Sequence, residues 1–101
     1  MLSSGMMAMR FTWSLEKATV NRRKHGVPFE EALTVFGDPL ARIHDDPAHS
    51  KTEGREIIVG HSRRGRLILV SFCERRGAVR LISARRVTRH EREDYEKGTR
   101  R

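Results

Sequence analysis

The segment REIIVGHSRRGRLILVSFCERRGAVRLISARR, residues 55–86, decides the fold. Two short turns, Arg63-Arg64-Gly65 and Arg75-Arg76-Gly77, divide it into three runs of strand-forming residues. Both turns contain glycine, as hairpin loops do, so the segment predicts a meander over Arg55 to Ser62, Arg66 to Glu74 and Ala78 to Arg86. Leu67, Ile68, Leu69 and Val70 follow one another without polar alternation. A strand that is apolar on both sides needs cover on both faces, which places this run at the centre of the sheet.

Working outward, Arg10 to Trp13 reads as a short strand, and Ser14 is an N-cap for a helix that runs to about His25. Glu16 suits the positive end of that helix, and Gly26 supplies the left-handed residue that ends it. Leu15, Ala18, Arg22 and His25 form its expected inward stripe, with Asn21 at the edge; Asn21 and His25 then require hydrogen-bond partners. Pro28 opens a second helix, on which Phe29, Ala32, Leu33 and Phe36 fall at amphipathic spacing until Gly37, Asp38 and Pro39 stop it. Residues 38 to 54 read as a long surface loop. Beyond the meander, Thr88 and Glu91 form a capping box for a last helix through about Lys97, whose one strong apolar anchor is Tyr95.

The order β-α-α-β-β-β-α describes an α+β domain: an antiparallel β-sheet meander with N-terminal helices and a C-terminal helix packed on it. Residues 10–97 form this single domain, 98–101 a basic tail, and 1–9 an N-terminal extension expected to be disordered, since Met6, Met7 and Met9 could each begin a shorter chain. With 101 residues, 37% hydrophobic and 34% charged, the chain holds one modest core. No run approaches the roughly 18 apolar residues of a membrane span, and the start lacks the pattern of a signal peptide. The lone Cys73 excludes a disulfide framework or a multi-thiolate zinc site and fits a reducing cytoplasm.

Lys and Arg number 21 against 13 Asp and Glu, a formal charge of +8. Arginine dominates the bases, and its planar fork fits phosphate bidentately, so a polyanion is the expected partner. Residues 75–101 alone hold ten bases and four acids, +6 of the total. Lys24 and His25 end the first helix, where the dipole favours cations; a charged lysine can offset developing negative charge and an imidazole can move a proton near neutral pH. The competing reading makes His25 a buried tie at the helix end. Glu53, Arg55 and Glu56 lie where the loop enters the meander, where a carboxylate serves either as a base or as an ion-pair partner.

Strict alternation along the last strand puts Arg80 with Ile82, Ala84 and Arg86 on one face, and Arg85 with Leu81 and Ser83 on the other. Arg63, Arg64, Arg80 and Arg89 add cations suited to a nucleic-acid backbone. The cluster His44-Asp45-Asp46-Pro47-Ala48-His49 has metal-binding residue types but no regular scaffold, so neither metal nor other cofactor is expected. With six aromatic residues, several claimed by packing, recognition leans on phosphate contacts rather than base stacking.

Several blocks together resemble one family: Phe11-x-Trp13, Lys17-Ala18-x-x-Asn21-x-x-Lys24-His25-Gly26-Val27-x-Phe29-x-x-Ala32, His49-Ser50, Glu53-x-Arg55, Gly65-Arg66-Leu67, Glu74-Arg75, and Arg80-x-Ile82-Ser83-Ala84-Arg85-Arg86, followed by Glu91 and Tyr95. They resemble the BrnT toxins over essentially residues 10 to 97. The resemblance implies a RelE-like fold and a metal-independent endoribonuclease, the toxin of a type II toxin-antitoxin system that inhibits translation. It also implies a cognate BrnA-like ribbon-helix-helix antitoxin. Cleavage through the ribose 2′-OH needs a base, a leaving-group acid and cations, and Lys24, His25, Glu53, Arg55, Glu56, Arg85 and Arg86 are the candidates. Two other readings use the same basic surface: a non-catalytic nucleic-acid-binding module, and an interaction protein that holds an acidic partner.

Overall fold

The computed structural model describes residues 9–46 and 54–99. The extension up to residue 8, the Pro47-Ala48-His49 end of the histidine-aspartate cluster, Glu53 and the last two arginines lie outside them. The elements are β1 (Arg10–Thr12), α1 (Leu15–His25), α2 (Phe29–Ala32) running into a 3-10 turn (Leu33–Gly37), β2 (Arg42–Asp45), β3 (Glu56–His61), β4 (Leu67–Arg75), β5 (Ala78–Arg86) and α3 (Arg89–Thr99). They form an α+β domain on one five-stranded sheet of order β1-β5-β4-β3-β2.

The central position of β4 follows from its covered faces. Ile68, Val70 and Phe72 join Val27, Phe29, Ala32, Val35, Val79, Leu81 and Ala84 in the larger core beneath α1 and α2. Leu67 and Leu69 face the other way, against Val59 and Tyr95. Two features depart from a purely antiparallel meander. β1 pairs with β5 in parallel, so the sheet is mixed. The 38–54 stretch, which reads as a loop, contains β2, antiparallel to β3 with Arg42 opposite Val59 and Asp45 opposite Glu56. Four residues reading Arg-Ile-His-Asp carry no strand signal of their own; pairing with β3 creates this edge strand.

Helix α1 is capped as its sequence dictates. The Lys17 N–H donates to Ser14 Oγ at 3.3 Å, and Gly26, at φ 71°, donates its N–H to the Arg22 carbonyl. Its expected inward stripe is only partly realised: Leu15 is 80% exposed and Arg22 is exposed, whereas Asn21 is buried. Asn21 Nδ2 donates to the carbonyls of Ala84 (2.8 Å) and Val27 (3.0 Å), while its Oδ1 accepts the Ala84 N–H (3.0 Å). β1 covers the edge of β5 only from Ala78 to Arg80, so beyond it the Asn21 amide does for Ala84 what a neighbouring strand would.

The second helix is shorter than its amphipathic pattern predicts. After Ala32 it tightens to three residues per turn, and the fully buried residues are therefore Phe29, Ala32 and Val35, three apart. Leu33 and Phe36 pack half-buried at the margin, Phe36 with its ring 5.0 Å from Phe72 and 5.1 Å from Phe11. Pro28, standing before this helix, provides no side-chain cap. The sequence also concealed a buried carboxylate. Glu31 accepts hydrogen bonds from Ser62 Oγ (2.6 Å) and from both Nε (2.9 Å) and Nη2 of Arg66. Arg66 Nη2 reaches the Gly26 carbonyl as well, at 3.2 Å, so the β3–β4 turn is tied to the end of α1. The Arg66 guanidinium, helped by Ser62, holds the Glu31 carboxyl below its usual range despite burial.

A candidate nucleic-acid groove

A β-bulge determines which side chains meet. Cys73 pairs with Arg80 and Phe72 with Leu81, but Ser71 pairs with Ser83, Val70 with Ala84 and Leu69 with Arg85, so Ile82 is an additional residue on β5. Cys73, Ser71 and Leu69 alternate onto one face of β4, and their partners Arg80, Ser83 and Arg85 therefore share that face. This corrects the strict alternation that had separated Arg80 from Arg85. Arg86, opposite Ile68, falls on the other face, away from Arg80. The same register places Arg55, one residue before Glu56 and its partner Phe72, beside Cys73, giving a row Arg55-Cys73-Arg80 across three strands.

α3 covers the apolar half of this face, where Tyr95 packs on Val59, Leu67 and Leu69. The polar half stays open, and α1 borders it. Two adjoining hollows lie there. One, of about 270 Å³, is lined by Lys17, Arg55, Cys73, Arg75, Arg80 and Ile82. The other, of about 420 Å³, follows α1 and includes Lys17, Lys24, His25, Glu16, Asn21, Ile82 and Ser83 in its wall. Lys17 and Ile82 border both, so the two make a continuous groove. Lys17, Asn21 and Lys24 sit at i, i+4 and i+7 of α1, which puts them on one face of the helix.

The groove brings together Lys24, His25, Arg55 and Arg80 from the sequence-derived candidates, and adds Lys17, Arg75 and Glu16, which that reading did not single out. Helical spacing offered a signal for Lys17, and the Glu74-Arg75 block of the resemblance offered one for Arg75. Glu56 turns to the face of Phe72 and lines neither hollow. Arg85 is engaged elsewhere: its Nη1 and Nη2 donate to the two carboxylate oxygens of Glu91, at 2.9 and 2.8 Å. The Arg85 guanidinium and the Thr88 N–H hold the Glu91 carboxyl down to about 2, and Arg85 in turn is raised. That pair fastens the start of α3 to β5. Arg63 and Arg64 occupy the β3–β4 turn, Arg64 lying 3.7 Å from Glu31, and Arg89 pairs with Glu93 along the exposed side of α3. His44 borders a separate hollow of about 250 Å³ under α3, with Arg42, Glu91, Asp94 and Tyr95. No group of three His, Cys, Asp or Glu side chains suited to a metal ion occurs among the described residues.

This is a small mixed-sheet domain with a basic groove whose walls run from a lysine-histidine helix end to a cluster of arginines, a surface of the charge that complements a polyanion. The family model described as "Ribonuclease toxin, BrnT, of type II toxin-antitoxin system" matches residues 13–91, and the chain belongs to that family. Membership gives it RNA as substrate and an antitoxin as partner. The fold agrees: the crystal structure of the Brucella abortus ribonuclease toxin, BrnT, superposes with a TM-score of 0.65 at 22% identity, covering 81% of this chain and 100% of that one. No curated protein matches. No helix among the described residues is long and apolar enough to cross a membrane.

Proposed function

We propose that the chain is a metal-independent endoribonuclease whose chemistry takes place at the Lys24-His25 end of the groove. The observation that carries this reading is the convergence of an imidazole, an ammonium and the Ser83 hydroxyl in one hollow continuous with the arginine cluster. His25 takes the proton from the ribose 2′-OH; the 2′-oxygen bonds to the adjacent phosphorus and the bond from phosphorus to the 5′-oxygen breaks. The imidazolium then returns the proton to the departing 5′-oxygen. Lys24, in the last turn of α1, offsets with its ammonium the charge that gathers on the phosphorane oxygens. Side chains thus fill every role the step requires.

Cutting messenger strands in this way inhibits translation, and a BrnA-like ribbon-helix-helix antitoxin neutralises the toxin by covering the groove. The test is purified chain with end-labelled RNA in EDTA. Products ending in 2′,3′-cyclic phosphate and 5′-hydroxyl are expected, and His25→Ala should slow cleavage by about 10²-fold or more. Intact RNA at high enzyme, or His25→Ala at the wild-type rate, overturns the proposal.

A further inference from the structure

We infer that the hollow of about 250 Å³ under α3 is a base-recognition pocket that takes a guanine from the RNA strand in the groove. For the strand this rests on the cleavage reading; the chemistry of the pocket speaks for a base independently. Ile57, Val59 and Leu69 make an apolar floor, and the ring of Tyr95, 5% exposed, makes a wall. Such a lining suits a flat heterocycle, whose faces gain from leaving water. The volume is below that of pockets for drug-sized ligands and is enough for one planar ring system.

The rim distinguishes a base from a phosphate. Glu91 and Asp94 border the hollow; their charge opposes a phosphate at that spot, whereas a carboxylate readily accepts hydrogen bonds from the N–H groups of a base. Glu91 is spent on Arg85 and the Thr88 N–H, which leaves Asp94 as the acceptor. Among the described residues Asp94 pairs with His90 at 3.5 Å, an exposed contact of little worth that a ligand displaces readily. Arg42 supplies the donors. Its guanidinium lies against Gly98, in space that a Cβ would take, and Gly98 follows Asp94 by one turn, about 6 Å along α3.

A fork of donors and a carboxylate at that spacing match guanine. Its O6 and N7 accept from an arginine, and the adjoining N1–H and 2-amino group donate to a carboxylate. Adenine puts an amino donor where the fork needs an acceptor, and a pyrimidine, with a single ring, spans less of the gap.

The sheet register joins this pocket to the groove. Ile57 of the floor pairs with Ser71, and Ser71 with Ser83 in the groove wall, so two strand spacings, about 10 Å, separate them on one face of the sheet. A nucleotide close to the scissile phosphate bridges that span with its base turned under α3. Base reading here adds sequence preference to phosphate contacts that carry none.

The test uses the full chain and fluorescence anisotropy with labelled all-2′-O-methyl strands, which have no attacking hydroxyl: uridines around a central guanosine, adenosine or inosine. Wild type should bind the guanosine strand about tenfold tighter than the adenosine strand, with inosine, which lacks the 2-amino group, between them. Arg42→Ala and Asp94→Ala should each bring the guanosine-to-adenosine ratio below about twofold. Arg92→Ala, which removes a charge from α3 where Arg92 pairs with Glu96, should leave the ratio as in wild type. Asp94 is exposed and Arg42 lies on the edge strand, and thermal melts verify that both variants fold.

Equal affinity of wild type for the three strands, the result if the hollow seats an antitoxin side chain instead, overturns the pocket, as does a ratio that survives both substitutions. Guanosine-selective binding that both substitutions abolish, with no cleavage of ordinary RNA by wild type, upholds the pocket and overturns the cleavage reading. Cleavage of ordinary RNA with equal affinity for the three strands does the reverse.

Discussion

Removing the Glu91 carboxylate should loosen α3 and destabilise the whole domain. In Glu91→Ala the two charge-assisted bonds from Arg85 and the bond from the Thr88 N–H at 2.8 Å are lost together. A carboxyl held at about 2 rather than its ordinary 4.5 corresponds to a ceiling of about 3 kcal/mol. The carboxylate is 29% and the guanidinium 37% exposed, and solvent screening lowers this to about 1–2 kcal/mol. The lost cap adds about 1 kcal/mol. A total of about 2–3 kcal/mol should lower the melting temperature by about 10–20 °C in a domain of this size.

The dependence on pH has a definite sign. Because the folded-state value is depressed, the ionic contribution is complete above about pH 4.5 and is lost as pH falls through about 2. Urea titrations of wild type and Glu91→Ala at several pH values should therefore show a gap that is full at pH 7 and has shrunk to roughly half of its ionic part by pH 3. Arg85→Ala should be similarly destabilised. Arg86→Ala, with an exposed side chain, should stay within about 0.5 kcal/mol of wild type. A constant gap down to pH 2, or a Glu91→Ala protein as stable as wild type at pH 7, refutes the reasoning.

Three further outcomes are expected. Asn21→Ala leaves the Ala84 N–H and C=O and the Val27 carbonyl without their partner and should cost about 2–4 kcal/mol in urea unfolding, and a loss below 1 kcal/mol would mean that β5 does not depend on that amide. Glu31→Gln, which takes the charge from a buried group bonded to Arg66 and Ser62, should cost about 3 kcal/mol; a thermal melt at pH 7 matching wild type argues against the tie. In hydrogen exchange the α3 amides, anchored on the apolar side by Tyr95, should exchange faster than those of β4, and equal protection in the two contradicts the view of α3 as a lightly docked element.

Where local chemistry is decisive, the sequence was sufficient to read the structure. Ser14 and Gly26 end α1, Thr88 and Glu91 start α3, and glycine turns between strand-forming runs yield β3, β4 and β5, because each of these depends on a few consecutive residues. The unbroken Leu67-Ile68-Leu69-Val70 run placed β4 at the centre because a strand that is apolar on both sides has no other stable position. The basic composition pointed to a polyanion, and Lys24, His25, Arg55 and Arg80 were visible as cations or titratable groups, though nothing in the sequence said that they share a groove.

That sharing was decided by tertiary structure. A strand alternates its side chains, so one additional residue exchanges faces for all that follow it; Ile82 does this to β5, and a register that buries Leu81 and Ala84 together in the core selects it. The bulge carries Ser83 and Arg85 to the side of Arg80 and sends Arg86 to the opposite one. The same dependence on distant partners hid the parallel pairing of β1, the edge strand β2 and the Glu31-Arg66 tie. Arg75 and Lys17 join the groove for this reason too: they are far apart in the chain, and the packing of α1 beside β5 brings them to the wall of one hollow.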